Sequence, residues 1–227
     1  MGDPGGGSDF AGFYNHLGIP IAEWGFGGGG GVYHSLYDSF HWMSKFGDPT
    51  FAYHAAAARI GAALVLRMAN ADILPYDYVE YARTMRGYVP QVEKAVKEKG
   101  WTVDVTALGA AIDRMERAAT AFAATRDSVL ARGDPPRGVA VRTNAALMRV
   151  ERALTRPAGL RTRPWFRNLI YAADEDNGYA NMVFPSVNEA IRSGDRSLAA
   201  QEVADLASRF DAATKAVTDA TAALGGR

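Results

Sequence analysis

Seven apolar residues near the C-terminus, Val203, Leu206, Phe210, Ala213, Val217, Ala220 and Leu224, alternate three and four apart without a miss. On a helix that spacing makes a narrow seam, which is stable only against another helix. The rest of the chain after Leu74 supplies partners. Asp77-Tyr78-Val79-Glu80 fits a capping box that opens a helix. That helix is predicted to reach about Lys99 and stop at Gly100, with Pro90 interrupting or bending it. A second begins near Asp104 and carries Val105, Leu108, Ile112, Met115, Ala119, Phe122 and Val129 on the same spacing, broken only by Arg126. It stops before Gly133-Asp134-Pro135-Pro136. A third runs from about Val139 to Leu154 and ends at Pro157. The fold class expected is therefore mainly α, an antiparallel bundle of about four helices. Seams of this kind serve an intramolecular core and a subunit interface equally well, so periodicity alone does not show a dimer.

Residues 1–50 are of another character, rich in glycine and aromatic residues. Phe10–Leu17 reads as a short helix and Gly18–Trp24 as a short buried strand. The five glycines from Gly27 to Gly31 cannot hold a regular element cheaply. Pro49 suits the first position of a following helix. The apolar stretch from Phe51 to Ala71 is interrupted by His54, Arg59, Arg67 and Asn70. A bilayer-spanning helix needs about 20 residues with few or no charges, so this stretch reads as a buried core helix. Met1 is followed by Asp3, Pro4 and glycines, which do not read as a signal peptide. The N-terminus reads as the inside of a loop, a hint of truncation.

Composition narrows the chemistry. Lysine plus arginine equals aspartate plus glutamate at 25 each, so a balanced surface gives no reason to expect nucleic acid or an anionic membrane as partner. There are no cysteines, which excludes disulfides, thiolate catalysis and thiolate metal sites. No P-loop lysine follows the N-terminal glycines, although Gly5-Gly6-Gly7-Ser8-Asp9 could form an anion-binding nest. Asp174-Glu175-Asp176-Asn177 lacks the spacing of a calcium loop and reads as a solvated loop. No nucleophile elbow is present.

Of the histidines His16, His34, His41 and His54, none lies in an HExxH or HxH motif. His16 and His41 read as surface or packing residues, and His54 as packed or capped. His34 follows the glycine run in Gly31-Val32-Tyr33-His34-Ser35-Leu36-Tyr37-Asp38, where Asp38 could orient its ring. It stands open between metal ligation and a packed or surface role. A catalytic zinc needs three protein ligands, so His34 could hold one only with ligands from outside this chain.

Six segments resemble, in order, parts of the glutamate carboxypeptidase II-like peptidases, a family of two-zinc exopeptidases with the transferrin receptor as a relative. They are Gly5-Gly6-Gly7-Ser8-Asp9-Phe10, Tyr33-His34-Ser35-Leu36-Tyr37-Asp38, Lys45-Phe46-Gly47-Asp48-Pro49, Leu74-Pro75-Tyr76-Asp77, Leu147-Met148-Arg149-Val150-Glu151-Arg152-Ala153, and Tyr179-Ala180 with Phe184-Pro185. The resemblance implies that residues 1–73 are the C-terminal remnant of a zinc peptidase domain, a small α/β piece. Residues 74–227 would be a transferrin receptor-like helical dimerisation domain. It further implies that His34 is the family's last zinc ligand, that Tyr33 and Tyr179 contact substrate, and that Gly7 and Ser8 line the substrate pocket.

Departures qualify that inheritance. Glu23 and Gly25 stand where the glutamate-specific members carry arginines, and Gly178 replaces their carboxylate-binding lysine. A glutamate side chain would meet no cation there, and Glu23 would repel it. The family's other zinc ligands and its general-base glutamate lie upstream of the segment at which this sequence begins. The expectation is a homodimerisation domain of a zinc-dependent carboxypeptidase or aminopeptidase, which contributes one ligand and cleft residues but is not catalytic alone. Zinc belongs to the intact parent and is not expected on this chain by itself. The expected partners are a second copy, the upstream peptidase domain and the parent's peptide substrate, with no nucleic acid and no membrane contact. Relatives imply an extracytoplasmic parent, whether secreted, periplasmic or membrane-anchored. The rival reading is a non-catalytic, receptor-like protein-binding module. A strand at 18–24 without neighbours would leave backbone groups unpaired, so residues 1–50 are expected to be less ordered than the bundle or held by packing onto it.

Overall fold

A computed structural model describes residues 3–4, 6–27 and 31–226. Gly5 of the N-terminal glycine run and Gly28–Gly30 of the second run lie outside the described residues. The chain forms two compact units, residues 1–21 with 72–227, and residues 22–71.

The larger unit is the helical bundle. Helix α3, Tyr78–Glu98, is capped by Asp77, whose carboxylate accepts from the Val79 (3.1 Å) and Glu80 (3.0 Å) amides. It passes through Pro90 and ends in a Schellman turn. There the Trp101 amide donates to the Val96 carbonyl and the Gly100 amide to that of Lys97, with Gly100 at φ +69°. This is the left-handed position that favours glycine. Helix α4, Thr106–Leu130, buries Leu108, Ile112, Met115, Ala119 and Phe122, each a member of its predicted stripe. Helix α5 spans Arg137–Ala153. Helix α7, Arg196–Leu224, is capped by Asp195 and buries all seven residues of its predicted seam. It also buries Ala199, Ala207 and Ala216, so its apolar face is wider than a two-position stripe. Helix α7 lies centrally and packs against both α4 and α5, while α4 also packs against α3.

Between α5 and α7 the chain makes a small antiparallel hairpin, β1 (Tyr171–Ala173) with β2 (Asn181–Val183), in which Ala172 faces Met182. It continues into helix α6, Pro185–Arg192. Phe184 enters α6 in a left-handed conformation at φ +46°, its ring fully buried and edge-on to Tyr88 and Phe210. Aromatic packing there opposes the backbone strain of a non-glycine residue at positive φ.

The start of the chain packs onto this bundle. Gly12–His16 forms a π-helical turn whose Tyr14 and Asn15 are buried. The Asn15 side chain donates to the Tyr171 carbonyl (2.8 Å), and the Asn15 carbonyl accepts from the Arg167 and Asn168 amides. Asn168 reciprocates by donating to the Tyr14 carbonyl (3.3 Å). Side-chain amides thus take the place that a neighbouring strand would fill.

Two expectations need correction. Gly18–Trp24 is not a strand: Gly18 sits at φ +64°, outside the extended region, and residues 22–24 are exposed. In the smaller unit, α1 (Phe40–Trp42) and a π-helical turn (Met43–Gly47) precede α2, Ala52–Ala69. Helix α2 is not a buried core helix. It buries only Gly61, while Ile60, Val65 and Leu66 are about half exposed or more. Among the described residues, the Trp24 indole rests on Gly61 and donates to the Ala57 carbonyl (3.0 Å), and the Phe26 ring meets Tyr53 edge-on. A unit of this size has too little surface of its own to wrap an 18-residue helix. No helix among the described residues is long and apolar enough to cross a membrane.

Candidate functional site

In the larger unit Tyr179 stands at the tip of the β1–β2 hairpin, 60% exposed. Local polar chemistry builds that tip. The Asp174 carboxylate accepts from the Asp176 and Asn177 amides, and the Asn177 side chain accepts from the Tyr179 amide (3.1 Å). Arg192, from the end of α6, donates to Asp174 (2.8 Å), Glu175 (3.2 Å) and Asp176 (3.0 Å). The Arg192 hydrogen bond, helped by the loop amides, holds the Asp174 carboxyl down to about 2. The acidic run is thus organised around a guanidinium, a partner its own residues did not reveal.

Gly7 and Ser8 lie beside this tip. The Gly6 amide donates to the Tyr179 carbonyl (3.2 Å). A β-carbon on Gly6 would stand 2.4 Å from the carbonyl oxygens of both Gly178 and Ala180, and one on Gly7 3.1 Å from the Tyr179 ring. Glycine is required at position 6 because only a residue without a side chain permits this backbone approach. Three of the five residues carried by the resemblance are therefore on neighbouring loops of one unit.

The other two belong to the smaller unit. Two successive turns shape the loop, with the Ser35 amide donating to the Val32 carbonyl and the Asp38 amide to that of Ser35. The Ser35 hydroxyl also donates to Val32 (2.7 Å). His34 is exposed, adopts a left-handed φ of +60°, and stacks its ring on Tyr33 at 3.8 Å. A non-glycine residue held there costs on the order of 1 kcal/mol, and such strain gathers at functional sites. Among the described residues no three histidine, aspartate or glutamate side chains converge as a metal group. One imidazole is short of the three protein ligands a catalytic zinc needs, so the described residues alone do not fit the ion.

Two of the remaining histidines are placed by ordinary contacts. His54 receives Asp48, whose carboxylate contacts Nδ1 at 2.7 Å and also caps the Tyr53 and His54 amides. The hydrogen bond with His54 lowers the Asp48 carboxyl from its usual value. His16 stacks on Trp165 and contacts its carbonyl at 2.8 Å.

Sequence reasoning missed three buried acids. Glu202 and Glu189 are neutralised by Arg156 (2.7 Å) and Arg163 respectively. Glu151 on α5 has no cationic partner among the described residues. Burial pushes its carboxyl up to about 7; burial first, and the Glu151 charge second, raises Tyr76, Tyr78 and Tyr81.

The fold is thus a helical bundle whose outer loop presents Tyr179 against a glycine turn. Residues 103–218, just over half of the chain, match the model of the transferrin receptor-like dimerisation domain, and the chain belongs to that family. It is similar to "Probable glutamate carboxypeptidase LAMP1" of Arabidopsis thaliana, 38% identical over 82% of this chain and 26% of the relative. It is also similar to "Probable glutamate carboxypeptidase VP8" of Zea mays, 32% identical over 87% of this chain and 28% of that protein. "Aminopeptidase NAALADL1" of Rattus norvegicus is 26% identical over 99% of this chain and 31% of its own length. The chain thus spans little more than a quarter of the first two of these relatives.

Proposed function

We propose that this chain pairs with a second copy of itself through the helical unit, as the dimerisation domain of a zinc exopeptidase. The observation that carries the reading is the family match over 103–218, which covers α4 to α6 and most of α7. The surface supports it. Val141, Ala145 and Met148 on α5 are exposed at helical spacing, an apolar stripe left open to solvent among the described residues. A second copy is the occupant we assign to it.

Within the parent, the division at residues 1–73 and 74–227 would set a peptidase segment beside the dimerisation segment. The exposed apolar face of α2 would then be covered by the upstream peptidase domain. His34 would provide one zinc ligand, completed by residues outside this chain, and the ion would supply an activated water when bound. Tyr33, Tyr179, Gly7 and Ser8 would line the cleft for a peptide. The absence of cations at Glu23, Gly25 and Gly178 argues against a glutamate side chain as the group selected.

Two differently tagged copies, co-expressed, test the pairing: recovery of the second tag with the first is expected, and its failure would overturn the proposal. In the full-length parent, His34→Ala should reduce bound zinc and peptide hydrolysis together. Unchanged zinc content would remove His34 from the metal site while leaving the dimer untouched.

A further inference from the structure

Tyr179 is mostly exposed, and the strands that carry it are three residues each. A two-strand hairpin of that length is not stable by its own ladder, so the tip needs a further anchor. Its sequence works against order. Asp174, Glu175 and Asp176 set three carboxylates in succession, and their mutual repulsion would open the turn. Arg192 meets both needs. It is the last residue of α6, whose Val187, Ala190 and Ile191 are buried in the core, so its backbone is firmly placed. A guanidinium carries five donors in a rigid fork, and this one reaches all three carboxylates. An isolated surface ion pair contributes little. Here one cation is shared among three acids, and one of those acids also accepts from backbone amides.

From Arg192 the contacts run to the glycine turn without a gap. Its Nη2 donates to Asp174 Oδ2 at 2.8 Å. The other Asp174 oxygen accepts from the Asp176 amide (2.8 Å) and the Asn177 amide (3.2 Å). The Asn177 side-chain oxygen accepts from the Tyr179 amide at 3.1 Å, and the Asn177 carbonyl from the Ala180 amide at 2.9 Å. The Tyr179 carbonyl then accepts from the Gly6 amide at 3.2 Å. Each link fixes a backbone atom beside Tyr179, and the backbone sets the direction in which the ring leaves it. Asp174 keeps its charge far below neutral pH, so the contacts persist there.

We propose that Arg192 is a positioning residue for substrate: through Asp174 and Asn177 it fixes the backbone on which Tyr179 is presented to the peptide cleft. The inference rests on Tyr179 lining that cleft. Arg192 acts through the tyrosine, since its own donors are engaged by the three carboxylates. Its loss should therefore fall on binding and spare the chemical step.

Two measurements test this. In the full chain, hydrogen exchange at the Tyr179 and Gly6 amides should be at least about tenfold faster in Arg192→Ala, with the α7 amides unchanged. Arg192→Lys should restore part of the protection, because an ammonium neutralises the acids without supplying the fork. Equal protection of Tyr179 in wild type and Arg192→Ala overturns the proposal.

In the full-length parent, assayed on a panel of alanyl dipeptides, Arg192→Ala should raise KM at least about fivefold, with kcat within about twofold and bound zinc unchanged. Tyr179→Ala should raise KM too, and Arg192→Ala should add nothing to it, because the two residues act as one unit. A higher KM in Tyr179→Ala but not in Arg192→Ala overturns the inference and leaves the cleft reading standing. Additive effects overturn it as well. An unchanged KM in Tyr179→Ala removes the tyrosine from the cleft, so that the reading beneath the inference falls and the inference with it. So does a wild-type parent that cleaves no member of the panel.

Discussion

Gly7 lies so close to Tyr179 that a β-carbon at position 7 would stand 3.1 Å from the tyrosine ring. The glycine turn and the hairpin tip therefore act as one surface. The neighbouring Gly6 has no such latitude, because backbone oxygens rather than a movable ring face it at 2.4 Å. Gly6→Ala is expected to separate the two loops at a cost of roughly 1–3 kcal/mol, and Gly7→Ala to cost much less while turning the Tyr179 ring. Amide exchange at Gly6, fast in Gly6→Ala and slow in Gly7→Ala, checks this. Equal protection in both would contradict it.

Glu151 makes stability fall as pH rises. Its folded-state value of about 7 lies above the ordinary 4.5, so the folded chain holds the proton more tightly than the unfolded one. No penalty exists below about 4.5. It grows between 4.5 and 7 and is complete above 7, at roughly 3 kcal/mol. Glu151→Gln should therefore gain more over wild type at pH 8 than at pH 5, by roughly 2 kcal/mol in denaturant unfolding. An equal difference at both pH values would show that the carboxyl is not held protonated.

Asp174 behaves in the opposite sense. Its folded value of about 2 lies below the ordinary 3.8, so its contribution is present above 3.8 and is lost as pH falls toward 2. Arg192→Ala removes the largest cause of that depression. The acid limb of the stability curve should move to higher pH in this variant, with greater exchange at the Tyr179 tip.

The bundle's long-range charges are more demanding. Arg156 bonds Glu202 and Asp205, and the Glu202 side chain is only 4% exposed. Arg156→Met leaves a buried carboxylate uncompensated, at a cost of about 3–5 kcal/mol. Adding Glu202→Gln should recover a good part of the loss in thermal unfolding. No recovery would place the loss in Arg156 packing or in its bond to the Gly159 carbonyl.

These residues also mark the limit of what the chain reveals before folding. The seam from Val203 to Leu224 and the stripe from Val105 to Phe122 were legible because long helices repeat their burial many times over. Asp77 and Gly100 were legible because capping chemistry is local. Helix α6 has eight residues and each strand of the hairpin three, too short for periodicity to speak. Glu202 and its arginine are 46 residues apart, and no local pattern pairs them. Helix α2 misled because an apolar run records a need for cover, not where that cover comes from. The candidate site divides likewise: its residues came from ordered segments of a family resemblance, while the contacts of Gly6 and Gly7 with the hairpin tip required the fold.

The central claim, that the helical unit pairs two copies, is tested most directly by the molar mass of the chain in solution. Light scattering after size-exclusion chromatography, over a dilution series, should give a stable value near twice 24.4 kDa. Replacing Val141 and Met148 together by lysine should reduce it to that of one chain with helicity retained. A wild-type mass of 24.4 kDa at every concentration would contradict the account.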